Sequence, residues 1–236
     1  MSSASTKAGG RSDGRTVGPW IPLAVLLSVS PTARLSAQGF LSQFSYDNLK
    51  PSALQVDLGP VGGNNIRGTL TGGLRLDYGF IAPHVRVLLG VSYYKADFSS
   101  AARARFAQSL DSIVNPGTPD AINLGRITWS DVTGDIDLQY VLPQGRSVTT
   151  YLGIGLGAHI RHGSGPAING TFVQDALNSI TAGLNGTIGA EVGAQRWRFT
   201  LEARGVLSSG VSTASLRSGL MYHWAGTRGR GRGTAK

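Results

Sequence analysis

The chain has 236 residues, enough for one domain of about 200 residues with tails. Charged residues make up only 15% of it, glycine contributes 34 residues, and the lack of cysteine excludes a disulfide scaffold and a thiolate metal site. The net charge of +9 lies mostly at the two ends, because residues 38–226 hold 14 basic and 12 acidic residues. The charge therefore does not indicate a nucleic-acid partner, and we expect none.

Residues 1–37 have the order of a secretory signal peptide. A polar, basic segment precedes the apolar run WIPLAVLLSV at 20–29, and SPTARLSAQ follows with small residues. The run has about 10 residues, too few to cross a bilayer as a helix. We predict cleavage after Ala37 and export from the cytoplasm.

Eight later segments alternate apolar and polar residues with the period of two that is typical of β-strands. Several are as long as the about 9–11 residues that a tilted strand needs to cross a membrane. Residues 127–131 fall out of phase with the fourth segment, so we predict a β-bulge before Gly134. The segments lie at 51–59, 66–78, 84–94, 135–142, 151–161, 180–192, 197–204 and 215–224.

The connections between these strands alternate in length. They are short after the second, fourth and sixth strands and mostly longer on the other side, as in outer-membrane barrels. Two long links carry helical patterns, at 99–114 and in TFVQDALNSI, where Thr171 and Gln174 form a capping-box pattern. We predict an all-β fold over 38–226: an eight-stranded antiparallel up-and-down transmembrane β-barrel with short helices in the long external loops. A basic disordered tail is predicted at 227–236.

The polar face of the strands distinguishes a membrane barrel from a soluble, lipocalin-like barrel with apolar residues inside. Its charges are mixed in sign, and arginine dominates while lysine is nearly absent. Arginine suits planar pairing with carboxylates, so we predict that this face fills a narrow lumen and that the apolar face meets lipid. The predicted lumen network comprises Asp57, Arg67, Arg75, Asp77, Arg86, Asp135, Asp137, Arg161, Glu191, Arg198, Glu202, Arg204 and Arg217.

Aromatic residues concentrate near the strand ends on the short-turn side, and most share the apolar face. Amphipathic rings at that position form the girdle of a membrane barrel at headgroup depth. The predicted interfacial aromatics are Tyr78, Tyr140, Tyr151, Trp197, Tyr222 and Trp224.

The signal-peptide pattern, the eight alternating strands and the ending LMYHW resemble small outer-membrane β-barrel proteins of the OmpA type or OmpW type, over about residues 40–225. Leu220, Tyr222 and Trp224 resemble the ending that the outer-membrane assembly machinery reads. AGTRGRGRGTAK departs from the family pattern, because such chains usually end at the aromatic residue. The resemblance implies the outer membrane of a Gram-negative-type bacterium, with the bilayer, lipopolysaccharide and the assembly machinery as partners. The partner of the external loops stays open.

The stretch GIGLGA offers a different interpretation, because Gly153, Gly155 and Ala158 match the dinucleotide-binding fingerprint. That fingerprint needs a helix directly after the glycines, and HIRHGSGPAING does not favour one. We predict instead a strand whose glycines face the lumen and leave room for other side chains. His159 and His162 fall on opposite strand faces, so we predict no metal site, and we expect no cofactor and no catalytic residue.

Eight strands enclose an interior just wide enough for side chains to fill. We therefore predict a non-enzymatic integral outer-membrane protein with a plugged lumen, which anchors external loops and contributes to envelope integrity or surface interaction. One alternative is a narrow conduit or binding barrel for small molecules, including hydrophobic ones. A minor alternative is a lipid-modifying outer-membrane enzyme that uses a histidine with serine or acidic partners.

Overall fold

A closed antiparallel barrel forms the described part of the chain, in which each strand pairs with its neighbours in sequence and the first strand pairs with the last. The computed structural model describes residues 44–46, 49–114, 125–145, 147–194 and 196–224. The predicted signal peptide and basic tail lie outside the described residues. The eight-stranded up-and-down fold is confirmed. The elements are β1 (Ala53–Gly63), β2 (Thr69–Ala82), β3 (Val85–Asp97), α1 (Ser100–Val114), β4 (Thr128–Pro143), β5 (Val148–Ser164), α2 (Phe172–Leu177), β6 (Ser179–Gly193), β7 (Trp197–Ser208) and β8 (Ser212–His223).

The barrel wall is apolar outside and polar inside, the reverse of a soluble barrel. Along β1, Leu54, Val56 and Leu58 are exposed, while Gln55 and Asp57 between them are buried. The same alternation runs through the other strands, because successive side chains of a strand point to opposite faces. The polar residues are thus enclosed by the strands that carry them.

The two ends of the barrel differ in the length of their connections. β2–β3, β4–β5 and β6–β7 are joined by short links, and the opposite end carries α1 between β3 and β4 and α2 between β5 and β6. No helix in the described ranges has the length and hydropathy to cross a bilayer. We call the helical end the external end, in keeping with the predicted orientation.

An apolar cluster, which we call the external cluster, lies inside the external end of the barrel. It joins side chains of both helices to the ends of β3 and β4, and the Phe98 and Trp129 rings lie 5.1 Å apart. Beyond the polar part of the lumen the enclosed side is therefore apolar. The buried members are Phe98, Ala102, Ile127, Ile168, Val173 and Leu177.

The predicted bulge before Gly134 is wrong. β4 pairs with β3 and with β5 in an unbroken register through that position. Residues 127–131 seemed out of phase because Ile127 and Trp129 are apolar residues of the external cluster, on the side that carries polar residues lower in the strand. The register shifts in β2 instead, between Asp77 and Phe80, where Gly79 has a φ of 90°.

The predicted capping box of the second loop helix is also wrong in its hydrogen bonds. Thr171 precedes α2 as its N-cap residue, but its hydroxyl donates to the Ile168 carbonyl at 2.6 Å and does not cap the helix. The Gln174 side-chain oxygen accepts from the Gly170 N–H at 2.8 Å. Both side chains therefore form hydrogen bonds with the backbone of the turn that precedes the helix. The helix itself lies within the predicted segment.

Candidate functional site

The lumen of the barrel contains most of the residues of the predicted charge network. The two exceptions are Arg198, which lies nearer the short-turn mouth with 22% of its side chain exposed, and Arg67, which is exposed and lies outside the lumen. Eleven are buried: Asp57, Arg75, Asp77, Arg86, Asp135, Asp137, Arg161, Glu191, Glu202, Arg204 and Arg217.

At mid-height, two arginines bridge opposite parts of the wall. Arg204 of β7 reaches β4, where its Nη1 lies 2.8 Å from Asp137 Oδ2 and its Nη2 lies 3.0 Å from Asp135 Oδ2. Arg75 of β2 reaches β7, where its Nη1 lies 2.6 Å from Glu202 Oε2. Because β4 and β7, like β2 and β7, are three strands apart in the closed barrel, these side chains cross the interior.

Toward the short-turn mouth, Arg86 is the centre of a second group. Its Nε and Nη2 donate to the Gln139 amide oxygen at 2.9 and 2.7 Å, and it forms an ion pair with Glu191. Its guanidinium also lies 5.0 Å from the centre of the Tyr151 ring. Arg198 Nη1 approaches the other Glu191 oxygen at 3.1 Å. These contacts join side chains of β3, β4, β5, β6 and β7 at this level of the lumen.

Near the external end of the lumen, Arg161 and Asp131 form a third group. Arg161 Nε lies 2.9 Å from Asp131 Oδ2, and its Nη1 donates to the Ser209 carbonyl at 2.6 Å. The same guanidinium lies 5.3 Å from the Trp129 ring centre, directly below the external cluster. The three groups follow one another along the barrel from mouth to mouth.

Such a network links the strands, and the loss of any one of its residues is expected to destabilise the barrel. Charges enclosed in a low-dielectric interior are tolerated because each is matched by an opposite charge. Removing one partner leaves the other without compensation, which typically costs about 3–5 kcal/mol. The paired charges therefore contribute to the stability of the folded barrel.

Two predicted placements are wrong. Arg67 is exposed and precedes β2, which begins at Thr69, so it is not in the lumen. Its neighbour Ile66 is buried in a bridge with Phe98 at the external end. Tyr151 is 2% exposed and points into the lumen, where its hydroxyl donates to Glu202 at 3.1 Å. It is therefore not an interfacial aromatic, and its position in the alternation of β5 already placed it on the polar face.

The other predicted interfacial aromatics lie at the short-turn end of the wall. Tyr140, Trp197 and Trp224 are 46%, 54% and 45% exposed, and Tyr78 and Tyr222 are half-buried. Trp197 stacks at a tilt on Tyr222 with ring centres 4.6 Å apart, and Trp224 Nε1 donates to the Pro51 carbonyl at 2.9 Å. Their contact with lipid headgroups stays a prediction.

The fingerprint glycines belong to a continuous strand, since β5 runs from Val148 to Ser164. Gly153 and Gly155 face the interior. A Cβ on Gly155 would lie 2.6 Å from both the Asn185 side-chain oxygen and the Ile136 carbonyl, and closer still to Asp137. Glycine is needed there because neighbouring strands fill the space, and the strand, not a helix that could bind a pyrophosphate, continues after these glycines.

His159 is buried among polar neighbours, but its geometry is not that of a nucleophile and base. Its Nδ1 lies 3.0 Å from Thr133 Oγ1 and 3.2 Å from Asp131 Oδ1. A catalytic relay has the hydroxyl and the carboxylate on opposite ring nitrogens, whereas here one nitrogen meets both. Across the described residues, no group of three or more histidine, aspartate or glutamate side chains is arranged to hold a metal ion.

Comparison with known proteins places the fold. No family model and no curated protein matches the chain. Among solved structures it is similar to Neisserial surface protein A, with a TM-score of 0.50 and 11% identity over 72% of this chain and 95% of that one. The chain has the fold of a small outer-membrane β-barrel.

Two further solved barrels are similar at lower TM-scores. The N-terminal barrel domain of Pseudomonas aeruginosa OprF has 9% identity and a TM-score of 0.43, covering 74% of this chain and 98% of that one. Ail, the attachment invasion locus protein of Yersinia pestis, has 10% identity and a TM-score of 0.42, covering 74% and 99%. At these identities the likeness concerns the architecture.

Proposed function

We propose that this chain is an integral outer-membrane protein with a plugged lumen, exported by the segment at 1–37, which holds a structured external surface. That surface contributes to envelope integrity or to binding at the cell exterior. The observation that carries the proposal is the arginine–carboxylate network, which spans the lumen from the Arg86 group to the Arg161 group. In this proposal the barrel wall anchors the chain in the membrane, and the external loops form the surface that faces the cell exterior.

The network argues against free passage of solutes. Arg75, Arg204 and their carboxylate partners have side chains at most 3% exposed, and they join strands from opposite parts of the wall. A solute could pass only by separating these pairs, which would leave charges uncompensated in a low-dielectric interior. Membrane barrels of eight strands have interiors that side chains just fill.

The outer wall supports insertion into a bilayer. Leu152, Ile154, Leu156 and Ile160 of β5 are 56–69% exposed, and equivalent apolar residues cover the other strands. In water such a surface would drive aggregation, whereas in a membrane barrel it is the lipid-facing band. The fold shared with an outer-membrane barrel agrees with this placement.

The test combines a folding assay with two transport assays on the purified chain. In a heat-modifiability gel we expect unboiled protein to migrate faster than boiled protein. In planar bilayers and in liposome swelling we expect no conductance steps and no solute uptake. A paired variant, Arg204→Ala with Asp137→Ala, removes a central part of the network and should raise conductance without abolishing the gel shift.

Each outcome decides between the proposal and an alternative. Conductance or swelling with the unaltered chain would support the conduit instead. A soluble product without a gel shift would refute the membrane barrel itself. Turnover of lipid A or phospholipid by the reconstituted chain would support the enzyme.

The role of the external surface needs a variant that keeps the barrel. Replacing residues 100–114 by a short glycine–serine linker removes α1 but leaves both strands that it connects. We expect this variant to retain the gel shift and to lose the envelope protection or surface binding that the full chain gives to producing cells. Equal protection by both chains would contradict a role for this loop.

A further inference from the structure

A cavity of about 240 Å³ opens at the external end, where β3 ends, α1 begins and β4 is entered. Among the described side chains around it, three are guanidinium groups and one is a carboxylate. The cavity is lined by Arg67, Asp97, Phe98, Arg103, Arg126 and Ile127.

The one carboxylate among the described lining residues is hydrogen-bonded to one of the three arginines. Asp97 Oδ1 accepts from Arg126 Nε at 3.0 Å, and Oδ2 lies 2.7 Å from Arg126 Nη2. The Thr128 hydroxyl donates to the same carboxylate at 3.0 Å. Within the described residues, no carboxylate lies within ion-pair distance of the Arg67 or Arg103 guanidinium. The described lining residues therefore carry an excess of positive charge.

Arg103 is the strongest indication that an anion belongs in this cavity. Its Nη1 donates to the Gly125 carbonyl at 3.0 Å, while its Nε is buried with no hydrogen-bond partner in the described part. It also lies in the first turn of α1, a turn without an acidic residue. The amino end of a helix is electropositive and disfavours a cation, so an anion there would be favoured by the helix and by the arginine.

The cavity also lies at a depth where a membrane offers such an anion. Tyr93 is the last outward apolar side chain of β3, and Asp97 is four positions further along the strand. With a rise of about 3.4 Å per residue and a tilt of about 40°, the cavity lies about 10 Å above the apolar band, among lipid headgroups. This step rests on the proposed function, whereas the charge argument does not.

We propose that this cavity binds a phosphate group, with Arg67 and Arg103 as its principal ligands and Arg126 as a shared one. A phosphate matches the fork of an arginine and accepts several charge-assisted hydrogen bonds at once. The same chemistry is offered by the phosphorylated headgroup of an outer-leaflet glycolipid and by free phosphate.

The test uses the folded chain in a phosphate-free nonionic detergent. In one arm, inorganic phosphate is titrated by calorimetry. In the other arm, a diphosphorylated lipid A-type glycolipid and its dephosphorylated form are tested for retention by the immobilised protein. The variants are Arg103→Gln and Asp97→Asn, and the matched control is Arg105→Gln, an exposed arginine of α1 that binds Asn65 outside the cavity.

We expect Arg103→Gln to weaken binding about tenfold or more, as expected when a charge-assisted hydrogen bond is lost. Asp97→Asn should tighten binding, because it removes the competing carboxylate, and Arg105→Gln should leave it unchanged. Retention of only the phosphorylated lipid, with release by phosphate, identifies the headgroup, and saturation by phosphate alone identifies the free ion. No binding in either arm, or equal effects of Arg103→Gln and Arg105→Gln, would overturn the proposal. A normal gel shift and a closed lumen in the same preparation show that such a failure concerns this cavity and not the proposed function.

Discussion

Arg75 Nη1 lies 2.6 Å from Glu202 Oε2, although 127 residues separate the two along the chain. Arg75 belongs to β2 and Glu202 to β7, and β1 and β8 lie between them in the closed barrel. In the closed barrel, the pairing of β1 with β8 brings these two strands within reach of each other across the interior. This ion pair therefore depends on closure of the barrel.

Removing one member of this pair should destabilise the barrel strongly. We expect Arg75→Met to lower the free energy of unfolding by about 3–5 kcal/mol, because Glu202 then keeps a buried charge without a partner. The double variant Arg75→Met with Glu202→Met should recover part of that loss. Urea unfolding in lipid vesicles measures all three chains.

The control for this prediction is the ion pair of Arg126 and Asp97, in which the Arg126 side chain is 75% exposed. Exposed ion pairs are screened by water and contribute little to stability, so Arg126→Met should be nearly neutral. Similar losses for Arg75→Met and Arg126→Met would show that the lumen pairs are not buried as described.

The glycines of β5 are not equivalent, although all alternate on one face. A Cβ at Gly155 would press on the Ile136 carbonyl and two side-chain oxygens, whereas a Cβ at Gly157 has its nearest neighbour, Thr133 Cγ2, at 3.4 Å. We expect Gly155→Ala to lower the folded yield and Gly157→Ala to change stability by less than about 0.5 kcal/mol. Gly155→Leu should lower the folded yield further, whereas Leu156→Val, on the lipid-facing side, should leave it nearly unchanged. The folded fraction on unboiled gels measures each, and equal yields for the two alanine variants would refute the assignment.

The alternation of apolar and polar residues was enough to predict which face of the sheet each strand residue occupies, because one face of a membrane barrel meets lipid and the other does not. Leu156 and Gly155 are assigned correctly by parity alone. Parity does not say where a strand ends, so Arg67, just before β2, was assigned to the lumen. It also does not show that the enclosed side becomes apolar above the membrane, which is why Ile127 and Trp129 suggested a bulge.

The pairing of the charged residues could not be predicted from the sequence. Composition indicated that arginines meet carboxylates, but the partner of Arg204 depends on strand tilt and register, which set Asp135 and Asp137 opposite it. The sequence contained even less indication of the external cavity. Its residues come from a loop, a helix start and two strand ends, and only the fold brings Arg67 near Arg103.

Asp97 should respond to acid in a predictable direction. It lies at the external end of β3, and its hydrogen bond from Arg126, with that from Thr128, lowers its pKa below the ordinary value. Because the folded pKa is the lower one, the stabilisation is complete above the ordinary value of about 3.9 and is lost as the pH falls through the depressed pKa. Carboxyl-carbon NMR of Asp97 against pH measures that midpoint. Arg126→Gln should move it upward, and an unchanged midpoint would contradict the bridge.

The depth of a residue in the lipid-facing wall should set the effect of a charge placed there. Leu156 lies at the middle of β5 and is 69% exposed, while Ile180 lies at the external start of β6 and is 78% exposed. In a bilayer we expect Leu156→Arg to cost about 2–4 kcal/mol and Ile180→Arg about 0–1 kcal/mol, because the cost of a charge falls toward the interface. A soluble barrel would tolerate both, since each side chain would point into water. Unfolding in vesicles therefore tests the orientation of the wall, and equal small effects at the two positions would mean that this face does not meet the hydrocarbon core.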